Sequence, residues 1–179
     1  MENDIQKTRT YQILTVMRIL AWVAFVGFSI ETGAVLISYV VSSINPEAAK
    51  NLYKGLNLYN LRQFNFWNYT ASVSFLVSIS AMKSYISCLV IGVLSKLSLT
   101  NPFTTEVANR LEKISYYSLG TWAVTILSNA HTAWLMKTTG ELHGNMLSGE
   151  FIFMTAIVFI LSQIFKRGVE IQSENELTV

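Results

Sequence analysis

Aspartate, cysteine and proline are almost missing from this chain, and each scarcity excludes something. Asp4 is the only aspartate, so no paired-aspartate chemistry is available. Cys88 is the only cysteine, so no internal disulfide can form, and it reads as a small packing residue. The two prolines, Pro46 and Pro102, leave long segments free of helix breakers. H-E-x-x-H, G-x-S-x-G and P-loop patterns are absent as well. Intramembrane metalloprotease or aspartyl-protease chemistry is therefore not expected, and the chain is read as a non-enzyme without cofactor. The net charge of +2 gives no footprint for nucleic acid.

The most informative scarcity is local. Ile19–Val41 holds one charge, Glu31, and Ala71–Ser95 holds one, Lys83, while Ile114–Met136 and Phe151–Phe165 hold none. A bilayer core of about 30 Å needs roughly 20 apolar residues at 1.5 Å each. The first three stretches reach that length, and the fourth reaches it with Leu147–Glu150 or Lys166–Arg167. Four such helices in 179 residues leave too little polar surface to cover them in water. The sequence thus predicts an all-α membrane protein in one domain over 1–179. Four transmembrane helices, at about 19–41, 71–95, 114–136 and 148–165, are expected to form a bundle. Lys7, Arg9 and Arg18 precede the first run, but no A-x-A site follows it, so it reads as a retained span.

Basic residues set the expected orientation. The N-tail, the loop after span two and the C-tail at 166–179 carry eight of them: Lys7, Arg9, Arg18, Lys96, Arg110, Lys113, Lys166 and Arg167. The other two loops carry four: Lys50, Lys54, Arg62 and Lys137. Both termini are expected in the cytoplasm. The outer loop at 42–70 is rich in aromatics: Tyr53, Tyr59, Phe64, Phe66, Trp67 and Tyr69. Asn45 and Pro46 predict a short helix there. Phe64–Tyr69 reads as an interfacial belt, with a binding lid as the sharper alternative.

On the inner side, Asn101 is an expected N-cap and Pro102 a first helical residue. Phe103, Val107, Leu111 and Ile114 then form one apolar stripe, with Glu106, Asn109, Arg110 and Lys113 off it. This predicts an amphipathic helix along the inner surface that leads into span three.

Each span also carries a stripe of small or hydroxylated residues. They are Ala24, Gly27, Glu31, Ala34 and Ser38; Ser80, Lys83 and Ser87; Ser118, Thr121, Thr125, Ser128 and Thr132; and Thr155 with Ser162. Such faces let helices approach closely in lipid. Glu31 and Lys83 each stand twelve residues, roughly 18 Å, from the inner end of their spans. An intramembrane Glu31–Lys83 pair is expected, either fixing the packing or responding to a proton or ligand. His131 with Asn129, Glu141, His143 and Glu150 has no ligand spacing of any specificity, so no metal is expected.

Two segments carry a resemblance. Asn101-Pro102-Phe103 followed by Asn109-Arg110-Leu111-Glu112-Lys113-Ile114 resembles the N-P-F…r-L-r-k-I segment of a bacterial membrane family, domain of unknown function 2975. The ending Phe165-Lys166-Arg167-Gly168-Val169-Glu170-Ile171-Gln172, continuing through Glu174 to Leu177, Thr178 and Val179, resembles that family's F-k-x-G-x-e-L-x-x-E-n-d-L-T-v close. Glu176 stands where the family commonly has Asp, and the long aromatic outer loop is not a family feature. The resemblance implies a four-span protein of a bacterial inner membrane, often encoded beside a small helix-turn-helix regulator. It supplies no reaction.

The expectation is a regulatory or partner-binding membrane module. Asn101–Lys113 and the acidic tail Glu170–Val179 would form one inner surface for a cytosolic protein, or the tail would rest on Arg110 and Lys113. The rival is a small oligomeric transporter or immunity-type protein using the Glu31–Lys83 pair; a purely structural membrane subunit is the third reading.

Overall fold

The computed structural model describes residues 2–97, 102–139 and 151–177. All regular structure among them is helical: α1 (Glu2–Ile44), a 3-10 turn (Pro46–Lys50), α2 (Tyr59–Phe64), α3 (Phe66–Lys96), α4 (Thr105–Thr139) and α5 (Phe151–Leu177). Neither proline lies inside an α-helix. Hydroxyls within the helices turn back onto carbonyls one turn earlier, as Thr32 does onto Phe28, Thr121 onto Tyr117 and Thr125 onto Thr121. That bond satisfies a polar side chain in surroundings that offer no water.

Three helices are long and apolar enough to cross a membrane, over Thr10–Ile44, Phe66–Lys96 and Ile152–Glu174. α4 is long and uncharged between residues 114 and 136, but its serines, threonines, Asn129 and His131 keep it less apolar than the other three. Position explains the difference. α4 packs against α3 on one side and α5 on the other, and Ser115, Ser118 and Thr121 are buried there. A helix flanked by two others needs less apolar surface than one bordered by lipid.

The helices pack antiparallel in chain order, α1 on α3, α3 on α4 and α4 on α5. Among the described residues α1 does not reach α4 or α5, and α3 does not reach α5. The expected bundle is therefore corrected to an open row, with α1 and α5 at its edges. The edges display large apolar side chains, among them Leu20, Val23, Ile30 and Ile37 on α1 and Phe153, Ile160 and Ile164 on α5.

The α3-facing side of α1 also differs from the expected stripe. Ala21, Val35 and Ser42 are buried on it, with Thr32 and Tyr39 bonded across to α3. This line lies about 100° around the helix from Ala24–Gly27–Glu31–Ala34–Ser38. Interhelical hydroxyl bonds, Thr32 to Ser80 at 2.9 Å and Ser29 to Ser84 at 2.8 Å, set the register instead of small residues. On α4 and α5 the hydroxyl stripes do face inward: Ser118, Thr121, Thr155 and Ser162 are buried.

The densest core lies in the connection between α1 and α3. Ala49, Leu52, Leu58 and Leu61 pack with Val35, Tyr69, Val73 and Leu135 from one shared end of α1, α3 and α4. As expected, Asn45 starts the 3-10 turn, its side chain accepting from Glu47 N at 3.1 Å. Asn65 caps α3, accepting from Trp67 N and Asn68 N. The aromatics divide into two sets. Tyr69 is buried, with its hydroxyl 2.7 Å from Ser42 Oγ, whereas Trp67 is 78% exposed and Phe64 and Phe66 are also exposed. Phe64, Phe66 and Trp67 thus stay at the surface, while Tyr39, Tyr53, Tyr59 and Tyr69 pack into the cap.

Candidate functional site

The two segments that carry the sequence motifs meet at the end of the row opposite the cap. α3 finishes there at Lys96, α4 starts there at Thr105, and α5 runs out past it as one helix to Leu177. Pro102 and Phe103 precede α4, whose cap is Thr104: its Oγ1 accepts from Val107 N at 3.3 Å. The expected start at Pro102 is thus corrected by three residues. Asn101, like Thr178, lies outside the described residues, and Leu177 closes α5.

Phe103 leaves the chain before the helix begins and reaches α5. Its ring lies 5.2 Å from the Phe165 ring, and it covers Gly168 so closely that a Cβ there would collide with the ring edge. The N-P-F segment and the F-k-x-G segment are therefore one structural feature. Glycine stands at 168 because an aromatic face occupies the space of a side chain.

A second glycine plays the same part on α3. A Cβ at Gly92 would collide with the Arg110 guanidinium, which crosses α3 at that point. Arg110 donates to Glu106 at 3.0 Å, and Lys96 lies 3.5 Å from the same carboxylate. The Arg110 hydrogen bond, helped by the Lys96 charge, holds the Glu106 carboxyl below the usual carboxylate range. Glu106 thereby ties the end of α3 to the start of α4. Arg18 of α1 donates to Leu94 O at 2.9 Å, placing a cation on the terminal carbonyls of α3.

α4 and α5 are joined by Lys166, which donates to Glu112 at 2.6 Å. Glu170 of the acidic tail turns to Arg167 of its own helix rather than to Arg110 or Lys113. Arg110 is held by Glu106, and Glu170 bonds Arg167 within α5 at 2.6 Å. The cross-helix charge pair has the reverse polarity, with the cation on α5 and the carboxylate on α4. Glu174, Arg167 and Lys113 are exposed. The stripe residues Val107 and Ile114 are buried rather than laid on a lipid surface, because α3 and α5 flank this part of α4.

Side-chain exposure of 37% for Lys166 and 23% for Glu112 limits their pair to a modest contribution. Alanine at each position singly and together should give a coupling of about 0.5–1 kcal/mol in denaturant titrations of the detergent-solubilised protein. Strict additivity of the two substitutions would show that the pair does nothing for stability.

The expected ion pair between Glu31 and Lys83 is not formed. Lys83 Nζ lies over the Phe28 ring, 5.8 Å from its centre, and Glu31 makes no ion pair or hydrogen bond among the described residues. His131 sits between Phe75 and Trp134, with ring centres 5.7 and 6.1 Å away, and its Nε2 is buried without a hydrogen-bond partner. The other members of the outer His/Glu group, Glu141, His143 and Glu150, lie outside the described residues.

Sequence reasoning named Phe103, Arg110 and Gly168 but missed Gly92, Glu112 and Arg18 as structural partners. Glu112 stands inside the quoted motif and Gly92 lies six residues before the loop, yet only the packed helices show what each one meets. Comparison with curated proteins gives no match, and neither does comparison with solved structures. The sequence does match the family described as "Protein of unknown function (DUF2975)" over residues 41–179, from the end of α1 through α5. The match takes in both motif segments and the contact between them, and the chain belongs to the DUF2975 family.

Proposed function

We propose that this protein is a four-span module of a bacterial inner membrane that holds a cytosolic protein at the end where Phe103 meets Gly168. One observation carries the reading. Two motif segments more than fifty residues apart converge on an ordered end built by the Phe103–Phe165–Gly168 contact and the Lys166–Glu112 bond. Around that end stand exposed charges of both signs: Lys96, Lys113, Arg167, Glu170 and Glu174. A mixed-charge rim suits protein recognition better than attraction to an anionic surface.

The fourth span is α4. Its uncharged stretch, 114–136, runs antiparallel between α3 and α5, so whatever thickness those two cross, α4 crosses with them. Both chain ends leave from the Lys- and Arg-rich side, which supports a cytoplasmic location for them. No chemistry and no direct nucleic-acid contact is assigned to this end. The family resemblance suggests a small helix-turn-helix regulator as partner. The transporter reading drew on the Glu31–Lys83 pair within one chain, and without that pair nothing favours it.

The test is photocrosslinking in native membranes, with the crosslinker placed at Lys113 or Gln172, and at Lys54 of the cap as control. The expected result is one soluble partner, a small helix-turn-helix regulator, captured from both inner positions. It should not be captured from Lys54, and it should be lost on deletion of Gln172–Val179 from a chain that still inserts. Unchanged capture by the inserted deletion variant, or none from either inner position, refutes the reading.

A further inference from the structure

Glu31 and Lys83 are brought to one depth and one face without being joined to each other. Two interhelical bonds bracket them: Ser29–Ser84 at 2.8 Å below and Thr32–Ser80 at 2.9 Å above. Glu31 lies between the first members of these bonds and Lys83 between the second. Their depths along the α1–α3 pair therefore agree.

Their sides agree as well. On α1, Ser29 lies about 60° to one side of Thr32 and Glu31 about 100° to the other. On α3, Ser84 lies about 40° to one side of Ser80 and Lys83 about 60° to the other. Since Ser29 meets Ser84, those two share a face of the row. Glu31 and Lys83 share the opposite face, which also carries Ala24, Gly27 and Ala34.

The chain itself covers this face only in part: Ala24, Glu31, Ala34 and Lys83 are half-buried, whereas Gly27 is exposed, with nothing within 4 Å of where a Cβ would stand. Lys83 has only the Phe28 ring, and a cation–π contact is worth about 0.5–2 kcal/mol. A charged group left unpaired in the middle of a bilayer costs at least about 2.5 kcal/mol. Lipid chains cannot make up that difference for either residue.

The geometry points to a second copy of this chain as the occupant of this face. A patch that holds one anion and one cation at the same depth is self-complementary about a two-fold axis parallel to the helices. In such a dimer each Glu31 meets the Lys83 of the other copy, so the two copies share two ion pairs and no charge is left over. Such an axis keeps both copies in the same membrane orientation. The small side chains at 24, 27 and 34 let α1 of one copy approach α3 of the other. The intrachain pair is replaced by an interchain one, and the open row is covered where its charges lie.

Charge reversal distinguishes this arrangement from its rivals. The full-length chain is expressed in native membranes with two different affinity tags, and co-purification of the tags reads dimerisation. Glu31→Lys alone places cations against cations, and Lys83→Glu alone places anions against anions. Each variant alone is expected to lose co-purification about tenfold, the factor given by about 1.4 kcal/mol. Glu31→Lys co-expressed with Lys83→Glu restores both interchain pairs and should co-purify as the wild type does. An intrachain pair cannot be rescued by mixing, so absence of rescue between inserted variants overturns the proposal.

Discussion

Leu61→Ala should remove about 2–5 kcal/mol of stability, the largest single effect expected anywhere in the protein. Leu61 is 0% exposed and sits at the centre of the cap, packed with Ala49, Leu52, Leu58, Tyr69 and Leu135. α2, which carries it, has six residues and cannot hold itself together, since an isolated helix of that length does not pass its nucleation cost. The cap therefore depends on the cluster, and the cluster joins three long helices at one end of the row. Truncating Leu61 leaves a cavity that α2 cannot refill from its solvent side. The comparison is Phe64→Ala on the same helix, where the ring is 54% exposed and the change should stay within about 0.5 kcal/mol. Thermal unfolding in detergent, with proteolysis between residues 45 and 65 as a local readout, separates the two. Equal loss in both variants would mean that the cap is an independent appendage rather than part of the helix packing.

Gly168→Val should destabilise the end where Phe103 meets α5 by about 1–3 kcal/mol. In a helix interior valine is the better residue by propensity, so an isolated α5 would gain from the change. The sign reverses because Phe103 already occupies the space, with its ring also packed on Phe165. The added side chain must expel the ring and break the bridge between the two motif segments. Phe103→Ala should therefore suppress most of the harm done by Gly168→Val, since the space is then vacant. A Gly168→Val change that is equally damaging with and without the Phe103 ring would show that the collision is not its cause. Partner crosslinking from Lys113 should fall with Gly168→Val and recover only in part in the double variant.

Much of the fold could be read before any helix was placed. Charge exclusion over 19–41, 71–95 and 151–165 marks the three helices that are apolar enough for a membrane, and the Asn45–Pro46 pair marks the short helix of the cap. The Phe103–Val107–Leu111–Ile114 stripe predicts that α4 runs unbroken out of the loop, as it does from Thr105. The start of α4 could not be read, because the choice between Asn101 and Thr104 as cap depends on where Phe103 must go. Proline at 102 marks the end of the loop, but Phe103 is drawn to α5 and only then does the helix begin.

The errors share one cause. Periodicity shows that a helix has a face, but not which neighbour covers it. α1 has a line of small residues and, about 100° away, a line through Ala21, Thr32, Val35 and Tyr39; the second meets α3 because its hydroxyls find Ser80 and Thr70. Equal depth of Glu31 and Lys83 was visible by counting from the span ends. Their failure to join within one chain was not, because it depends on how Lys83 is drawn to Phe28.

Composition and periodicity by themselves determine that this chain is helical and belongs in lipid, because both are sums over local side-chain preferences for water or hydrocarbon. The order in which the helices pack, the opening between α1 and α5, and the meeting of Phe103 with Gly168 were decided only by tertiary structure. Each of those depends on side chains distant in sequence fitting a shared space, and no local sum contains that.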